Sequence, residues 1–189
     1  AKYVNVVCAV LPLREVGVTD CSMILGNDML CLFPEIELDY EHCRLYLRSQ
    51  YDILPNNPRN LMFNKVPYIQ AKIDGLPTTI LWDTGSNKSS IEPHFYNEHR
   101  DQLPATSKHG RKRGKTATGK TSKLKYAILP LIELTVGDKT GKMNSLYMIE
   151  DMPHSELMGV PFDATLGAVP PVEFKRLTIN FREMYFIVR

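Results

Sequence analysis

The sequence predicts an all-β protein that carries only a few short helices. Short apolar and β-branched segments alternate with turns rich in Gly and Pro along most of the 189 residues, a pattern typical of β-sandwiches and barrels. Helical periodicity is sparse, so we expect short helices only after Gly26, within residues 92–102 and after Gly159. A motif that occurs near both ends of the chain is the third observation, since it indicates an internal repeat.

Strand patterns follow one another along the chain and are separated by turn formers. Gly75-Leu76-Pro77 and Gly137-Asp138 mark two of the turns, because Gly and Pro punctuate local structure. Residues 177–188 are predicted to form two strands around a polar turn at 180–183. The other strands are predicted at residues 3–10, Val66–Ile73, 78–82, 124–136 and 143–149.

The repeated motif consists of two apolar residues and a glycine, a short helix-like segment, and an apolar-polar-aromatic hairpin. It begins at Ile24-Leu25-Gly26 and again at Leu157-Met158-Gly159, with hairpins at 38–47 and 179–188. The chain therefore contains the second half of one unit and then a whole unit. The predicted organisation is the back half of a first lobe at residues 1–48, a linker rich in turn formers at 49–64, and a complete lobe at 65–189.

Composition points to a soluble domain. The formal net charge is +2 and 43% of the residues are apolar, which is ordinary for a globular protein. No apolar run reaches the roughly 18 residues of a membrane span, and no signal peptide is evident at the start of the sequence. The five histidines are scattered without a metal-binding motif, so neither a metal nor an organic cofactor is expected.

The four cysteines, Cys8, Cys21, Cys31 and Cys43, all lie in the first quarter of the chain. None forms a CxxC pair, which argues against a zinc site or a redox motif. Their even number is compatible with disulfides in an oxidising compartment and equally with buried thiols in a reducing one. The compartment therefore stays open, with a slight preference for secretion or the periplasm.

One turn carries the strongest chemical signal. An apolar strand, Ile80-Leu81-Trp82, runs into Asp83-Thr84-Gly85-Ser86, and strand alternation directs Trp82 into the core, away from the carboxylate. Gly85 lets the backbone approach another chain closely. Thr84 can hydrogen-bond to a partner copy, and Ser86 can donate to the Asp83 carboxylate. An ordinary β-turn favours the same residue types, so the surrounding sequence must decide.

In its context the turn resembles the active-site turn of the retropepsin-like aspartic peptidases. That family also has an apolar-apolar-Gly segment near the end of each lobe, matched by Leu157-Met158-Gly159, and a β-hairpin flap in between, matched by residues 110–126. The resemblance covers residues 61–189 as one lobe and 1–48 as the back half of another. It implies a closed β-barrel lobe of the retropepsin or pepsin type, with flap candidates Gly114, Lys115, Thr116, Ala117, Thr118 and Gly119.

The resemblance also implies an activity, the hydrolysis of peptide bonds. Asp83 would be one of two carboxylates that share a proton around one water. The ionised carboxylate accepts a proton from the attacking water, while the protonated one polarises the substrate carbonyl and later donates to the leaving amine. A substrate of this family is an extended peptide, held by strand-like backbone hydrogen bonds.

The chain supplies only one of the two carboxylates, because it contains a single Asp-Thr-Gly and no Asp-Ser-Gly. Either a second copy contributes its own Asp83, or an N-terminal fragment carries the missing half-lobe and its aspartate. The half-lobe at residues 1–48 favours the fragment, since a homodimer has no use for it. The alternative function is a noncatalytic module that keeps the peptidase fold and binds a peptide or another partner.

Two further patterns point to nucleotides or nucleic acids and are discounted. Residues 114–121 match the phosphate-loop pattern GxxxxGK[ST], but they lack the buried strand before and the helix after that such a loop needs. Eight Lys or Arg residues lie between positions 108 and 125, yet the run lacks the interleaved aromatics of single-strand binders. A solvated basic flap is the preferred interpretation.

Overall fold

The computed structural model describes residues 25–115, 121–150 and 156–189. Strands dominate these residues, which confirms the all-β prediction, and the two helices among them are α1 (Asn27–Leu30) and α2 (Pro93–Glu98). The predicted strand at 3–10 and residues Cys8 and Cys21 lie outside this range. The strands are β1 (Glu35–Asp39), β2 (Arg44–Arg48), β3 (Leu61–Asn64), β4 (Val66–Ile73), β5 (Leu76–Trp82), β6 (Ser90–Ile91), β7 (Lys108–Lys115), β8 (Thr121–Leu129), β9 (Ile132–Val136), β10 (Lys139–Met143), β11 (Leu146–Ile149), β12 (Glu156–Leu157), β13 (Val160–Pro161), β14 (Ala164–Leu166), β15 (Arg176–Asn180) and β16 (Tyr185–Val188).

Most strands form one curled sheet in the order β10-β9-β4-β5-β14-β6-β11-β8-β7, with β3 also paired to β4. Alternation along β9 explains how the sheet encloses the core. Ile132, Leu134 and Val136 are buried, whereas Glu133 and Thr135 between them point to the other side. The buried side chains of neighbouring strands join them in one apolar cluster that reaches from Ile36 on β1 to Val188 on β16.

The hairpin that leads to Asp83 joins β4 to β5. Its turn residues, Asp74 and Gly75, have φ angles of 47° and 82°, and Ile73 pairs with Leu76 across it. An Asp-Gly pair with two positive φ angles is the favoured two-residue connection between antiparallel strands. The turn was predicted one residue later, at 75–77, but Leu76 and Pro77 already belong to β5.

The predicted strand at 124–136 is two strands, because Pro130 interrupts it. Proline has no backbone N–H to donate to a sheet ladder, and β8 ends at Leu129 while β9 starts at Ile132. The Gly137-Asp138 turn is confirmed, and it leads into β10, whose polar sequence was not predicted as a strand. β11 (Leu146–Ile149) occupies the end of the predicted strand at 143–149.

Two of the three predicted helices are present, and the helix after Gly159 is wrong. Met158 and Gly159 have φ angles of 53° and 75° and form a tight turn between β12 and β13. Phe162 then packs against Tyr68 and Leu81 in a second, smaller apolar cluster. The tight turn and the burial of Phe162 favour extended backbone here over a helix.

The two hairpins at the ends of the repeat form a separate four-stranded sheet in the order β16-β15-β1-β2. The central strands β1 and β15 are antiparallel, with Glu35 opposite Asn180 and Asp39 opposite Arg176. The chain between the hairpins is tied to β16, since Asn60 exchanges two hydrogen bonds with the backbone of Phe186. The last four residues of the predicted linker form β3.

The turns of these two hairpins have matching geometry at an offset of 141 residues. Cys43 and Met184 both have positive φ, 52° and 54°. Asp39 Oδ1 accepts a hydrogen bond from the backbone N–H three residues later at 3.0 Å, and Asn180 Oδ1 does the same at 2.8 Å. Within the described residues the two hairpins are therefore built alike, position by position.

The polar face of β1 is buried and charged. Glu35, Glu37 and Asp39 are all less than a tenth exposed, and buried carboxylates need partners to offset desolvation. Arginines from three other strand ends lie close to these carboxylates, and Tyr185 Oη donates to Glu35 Oε2 at 2.5 Å. Burial, reinforced by the hydrogen bond to Glu35, raises the pKa of the Tyr185 hydroxyl. The arginines are Arg48, Arg176 and Arg189.

Two other features complete the fold. Cys31 and Cys43 are free thiols, so neither forms a disulfide with the other. Neither helix in the described ranges has the length and apolar character needed to cross a membrane.

Candidate active site

Asp83 lies immediately after β5, where the buried strand leaves the sheet. Its backbone N–H donates to Leu166 O at 2.9 Å, and its carbonyl oxygen accepts from Ser86 N at 3.1 Å. The side chain is exposed, and its Oδ1 accepts a hydrogen bond from Gly85 N at 2.9 Å. The backbone is thus held from two sides, while the carboxylate points into open space.

Gly85 lies close to that carboxylate. A Cβ atom built on Gly85 would lie 3.0 Å from Asp83 Oδ1, tighter than nine in ten real Cβ contacts. A side chain at position 85 would therefore make the carboxylate shift by a few tenths of an ångström. Thr84 beside it is also exposed, and its expected bond to a partner copy remains a prediction.

Ser86 does not play the role predicted for it. Its Oγ donates to the carbonyl oxygen of Lys88 at 2.7 Å, and Lys88 N in turn approaches Ser86 Oγ at 3.4 Å. The serine therefore closes its own loop and does not donate to the Asp83 carboxylate. A hydroxyl commonly satisfies a backbone group two residues away in this manner.

A strand that sequence reasoning missed braces the Asp83 turn. β14 pairs in parallel with the end of β5, with Leu166 opposite Trp82, and antiparallel with β6. Beyond it, Gly167 N donates to Ser89 Oγ at 3.0 Å and Ala168 N donates to Ser86 O at 2.8 Å. The loop that carries Asp83 is thereby bonded to β14 and its continuation at several points.

Gly167 lies beside the Asp83 turn, in place of Gly159, the glycine of the predicted apolar-apolar-Gly segment. A Cβ at position 167 would be 2.7 Å from Ser86 O and 2.9 Å from Lys88 O, both backbone atoms that cannot move aside cheaply. The offset of 141 residues that relates the terminal hairpins aligns Gly26 with Gly167. That offset is a signal in the sequence that could have identified Thr165-Leu166-Gly167, but the sequence analysis chose Leu157-Met158-Gly159 instead.

Another carboxylate close to β5 has a structural role. Asp163 Oδ2 accepts from Thr79 N at 2.8 Å, and its Oδ1 lies 3.1 Å from His94 Nε2. The Asp163 backbone N–H also donates to Thr79 O. Both carboxylate oxygens are engaged, so Asp163 ties β14 to β5 and is not available as the partner of Asp83.

Only part of the predicted flap is described. Gly114 and Lys115 form the end of β7, whose partner β8 begins at Thr121, so the two strands make a hairpin at the predicted place. Thr116, Ala117, Thr118 and Gly119 lie outside the described residues. Trp82 is buried as predicted, with its ring centroid 6.1 Å from that of Phe186. No group of His, Cys, Asp and Glu suited to a metal ion occurs in the described ranges.

Comparison with known proteins places this chain in a family. A family model described as aspartyl protease matches residues 69–168, more than half of the chain, from within β4 to just beyond Gly167. Among solved structures, the EIAV protease in complex with the inhibitor HBY-793 is matched at a TM-score of 0.33 and 15% identity, over 62% of this chain and 86% of that one. No curated protein matches the sequence significantly. The family match includes the whole Asp83 turn and its brace, and the chain belongs to the aspartyl protease family.

Proposed function

We propose that this chain is the C-terminal part of a duplicated, two-lobed aspartic endopeptidase, with Asp83 as one of its two catalytic carboxylates. The observation that carries the proposal is the placement of Asp83. An exposed carboxylate stands on a rigidly braced backbone at the end of a buried strand, within the region that matches the aspartyl protease family. Preorganised groups of this kind are what catalysis by positioning requires.

In the proposed reaction Asp83 and a second aspartate share one proton across a water molecule. Two carboxylates at close range cannot both ionise cheaply, so one stays protonated. The ionised carboxylate accepts a proton as the water attacks the peptide carbonyl, and the protonated one donates to the leaving amine. The Gly85 N–H, which already bonds Asp83 Oδ1, fixes the orientation of this carboxylate during both steps.

The second aspartate is proposed to come from an N-terminal fragment that completes the first lobe. The first support is the four-stranded sheet, where β1 of the same chain already occupies the edge of β15. A second copy could pair its own β15 at this edge only by displacing β1. A half-lobe that docks beside β1 and β2 needs no such exchange.

The second support is a difference in burial between corresponding positions. Phe186 and Val188 on β16 pack into the core of the complete lobe and are 0% and 4% exposed. Their counterparts at the 141-residue offset, Leu45 and Leu47 on β2, are 46% and 40% exposed. A half-lobe built like residues 61–166 would cover Leu45 and Leu47 as the present lobe covers Phe186 and Val188, which removes apolar area from water.

The test is peptide cleavage from acidic to neutral pH, using a mixed peptide library. The chain is assayed alone and together with the N-terminal fragment, in the wild-type form and as Asp83→Asn. Asp138→Asn is the matched control, because Asp138 is an exposed turn aspartate at the far end of the sheet. We expect cleavage only with the fragment, its loss in Asp83→Asn, and full retention in Asp138→Asn.

Other outcomes have definite meanings. Cleavage by the chain alone that depends on Asp83 would mean that a second copy of the chain, and not an N-terminal fragment, supplies the second aspartate. Equal cleavage by wild type and Asp83→Asn would exclude Asp83 as a catalytic residue. Specific peptide binding without cleavage in any combination would favour the noncatalytic module, the function that the single Asp-Thr-Gly allows.

A further inference from the structure

β7 and β8 extend beyond the rest of the sheet as a two-stranded ribbon. The later part of β8, from Tyr126 to Leu129, is also paired with β11. The part that precedes Lys125 pairs only with β7 among the described residues, and Lys125 O accepts a hydrogen bond from Glu150 N at 3.0 Å. Such a ribbon has two faces, because successive side chains on each strand point to opposite sides.

One face of the ribbon carries like charges directly opposite each other. Arg111 lies opposite Lys125, and Arg113 lies opposite Lys123. Since the positions on each strand are two residues apart, both pairs share a face, and all four side chains are exposed. Like charges in directly opposed positions destabilise a sheet, so this face holds an electrostatic cost in the free protein.

Three of the four positive charges on this face lack a partner carboxylate in the part of the chain that the structure describes. Over residues 25–115, 121–150 and 156–189, no carboxylate forms an ion pair with Arg111, Arg113 or Lys123. By contrast, His109 at the base of the ribbon has a carboxylate partner, since its Nδ1 lies 2.9 Å from Glu150 Oε1. An anionic ligand would relieve the repulsion and gain charge-assisted hydrogen bonds to the guanidinium groups.

The base of the ribbon is connected to the Asp83 loop. β8 pairs with β11, and β11 pairs in parallel with β6, the short strand that follows the loop. The ring of Tyr126 on β8 lies 5.6 Å from that of Tyr147 on β11. Lys88 Nζ lies 5.5 Å from the same Tyr147 ring, and Lys88 O accepts a hydrogen bond from the Ser86 hydroxyl.

We propose that the cationic face of Arg111, Arg113, Lys123 and Lys125 binds acidic side chains of a peptide, and so selects substrates rich in Asp and Glu. This substrate preference rests on the proposed peptidase function. A peptide is favoured over a nucleic acid as the ligand because β11 and β6 connect the ribbon to the loop that carries Asp83. The planar guanidinium forks of Arg111 and Arg113 suit bidentate contact with carboxylates.

The test separates binding from catalysis. Fluorescently labelled peptides of equal length, one rich in Glu, one with Gln in place of each Glu and one with Lys, are titrated with the Asp83→Asn chain. We expect the Glu peptide to bind about tenfold more tightly than the Gln peptide, because several exposed charge pairs each contribute a modest amount. The preference should vanish at about 0.5 M salt, where exposed charges are screened.

Variants assign the preference to the ribbon. Arg111→Gln with Arg113→Gln is expected to abolish it, and the thermal midpoint should stay the same or rise, since repulsion is relieved. Lys139→Gln with Lys142→Gln on β10 is the matched control, because it removes equal charge from the other end of the sheet. An unchanged preference in the ribbon variant, or equal effects of both variants, would overturn the proposal.

Two further measurements complete the test, the binding of a DNA duplex and the kcat/KM of the assembled peptidase. Tighter binding of a short DNA duplex than of the Glu peptide would assign the ribbon to nucleic acid and also overturn the proposal. In the assembled, active peptidase, kcat/KM should favour the Glu peptide through the same two arginines. If binding shows the preference but no assembly cleaves, the ribbon inference stands as peptide recognition and the proposed peptidase activity fails separately.

Discussion

Glu37 on β1 lies directly opposite Thr178 on β15, and the same two residues are counterparts at the 141-residue offset. Thr178 Oγ1 lies 3.5 Å from Glu37 Oε2. A pair in which a residue faces its own counterpart marks the point through which a local two-fold axis passes. The pairing of Glu35 with Asn180 on one side and of Asp39 with Arg176 on the other fits this axis. The proposed duplication of the lobe predicts such a relationship.

Corresponding residues of the two hairpins should differ in their effect on stability. Phe186→Ala is expected to lower the free energy of unfolding of this chain by about 3–5 kcal/mol, because it empties a fully buried site. Leu45→Ala, at the exposed counterpart, should cost less than about 1 kcal/mol. Urea denaturation followed by circular dichroism measures both. Equal losses would mean that the Leu45 face is already covered in the isolated chain.

Gly167→Ala should disturb the Asp83 loop. The new Cβ would collide with the backbone oxygens of Ser86 and Lys88, and overpacking of this kind costs about 1–3 kcal/mol. A small displacement of Asp83 should lower kcat/KM of the assembled peptidase by about 100-fold. Ala164→Gly, on the same strand, is the control for altered backbone freedom. A Gly167→Ala enzyme with wild-type activity would refute the bracing role of this segment.

Ser86→Ala should change activity only slightly and should leave the pH profile unaltered. The hydroxyl bonds to Lys88 O, so its loss loosens the loop by about 1 kcal/mol and leaves the hydrogen bonding of the Asp83 carboxylate as it is. The measurement is kcat/KM against pH for the assembled wild type and the variant. A displaced acidic limb would mean that Ser86 donates to Asp83 in the active enzyme.

Asp39 should make the stability of the fold sensitive to acid. Burial raises the pKa of this carboxyl, but hydrogen bonds from the His42 backbone and ring and the charge of Arg176 outweigh burial and hold the pKa below its usual 3.8. A lowered folded-state pKa stabilises the fold above the unfolded value, and the benefit is lost as pH falls through the folded value. Urea midpoints measured between neutral pH and about pH 3 should fall less steeply in Asp39→Asn than in wild type. Parallel slopes would contradict this assignment.

The sequence was most informative where local chemistry and packing agree. The strands that lead to Asp83 were predictable from their apolar and β-branched residues, although the turn between them is Asp74-Gly75 and was predicted one residue later. The hairpins at both ends were predictable for the same reason. The strand predicted at 124–136 was wrong because it relied on apolar content alone. Pro130, which has no backbone N–H, divides that stretch into two strands.

Tertiary relationships explain what the sequence did not reveal. Gly159 and Gly167 each follow an apolar residue, and in the folded chain Gly167 is the one that approaches the backbone of Ser86 and Lys88. From the sequence, the Ser86 hydroxyl could donate to the Asp83 carboxylate or to a backbone carbonyl, and in the folded loop it donates to Lys88 O. The cross-strand pairing of Arg111 with Lys125 likewise needed a register that a run of basic residues does not define.

The packing of Trp82 on Phe186 has a practical consequence. Trp82 is the single tryptophan of the sequence, and its buried Nε1 finds no hydrogen-bond partner in the structure as described for residues 25–115, 121–150 and 156–189. Its intrinsic fluorescence therefore reports on one junction, where the strand before Asp83 meets the C-terminal hairpin. A change in the four-stranded sheet that reaches the candidate active site through this contact should therefore change the fluorescence of Trp82, without any added label.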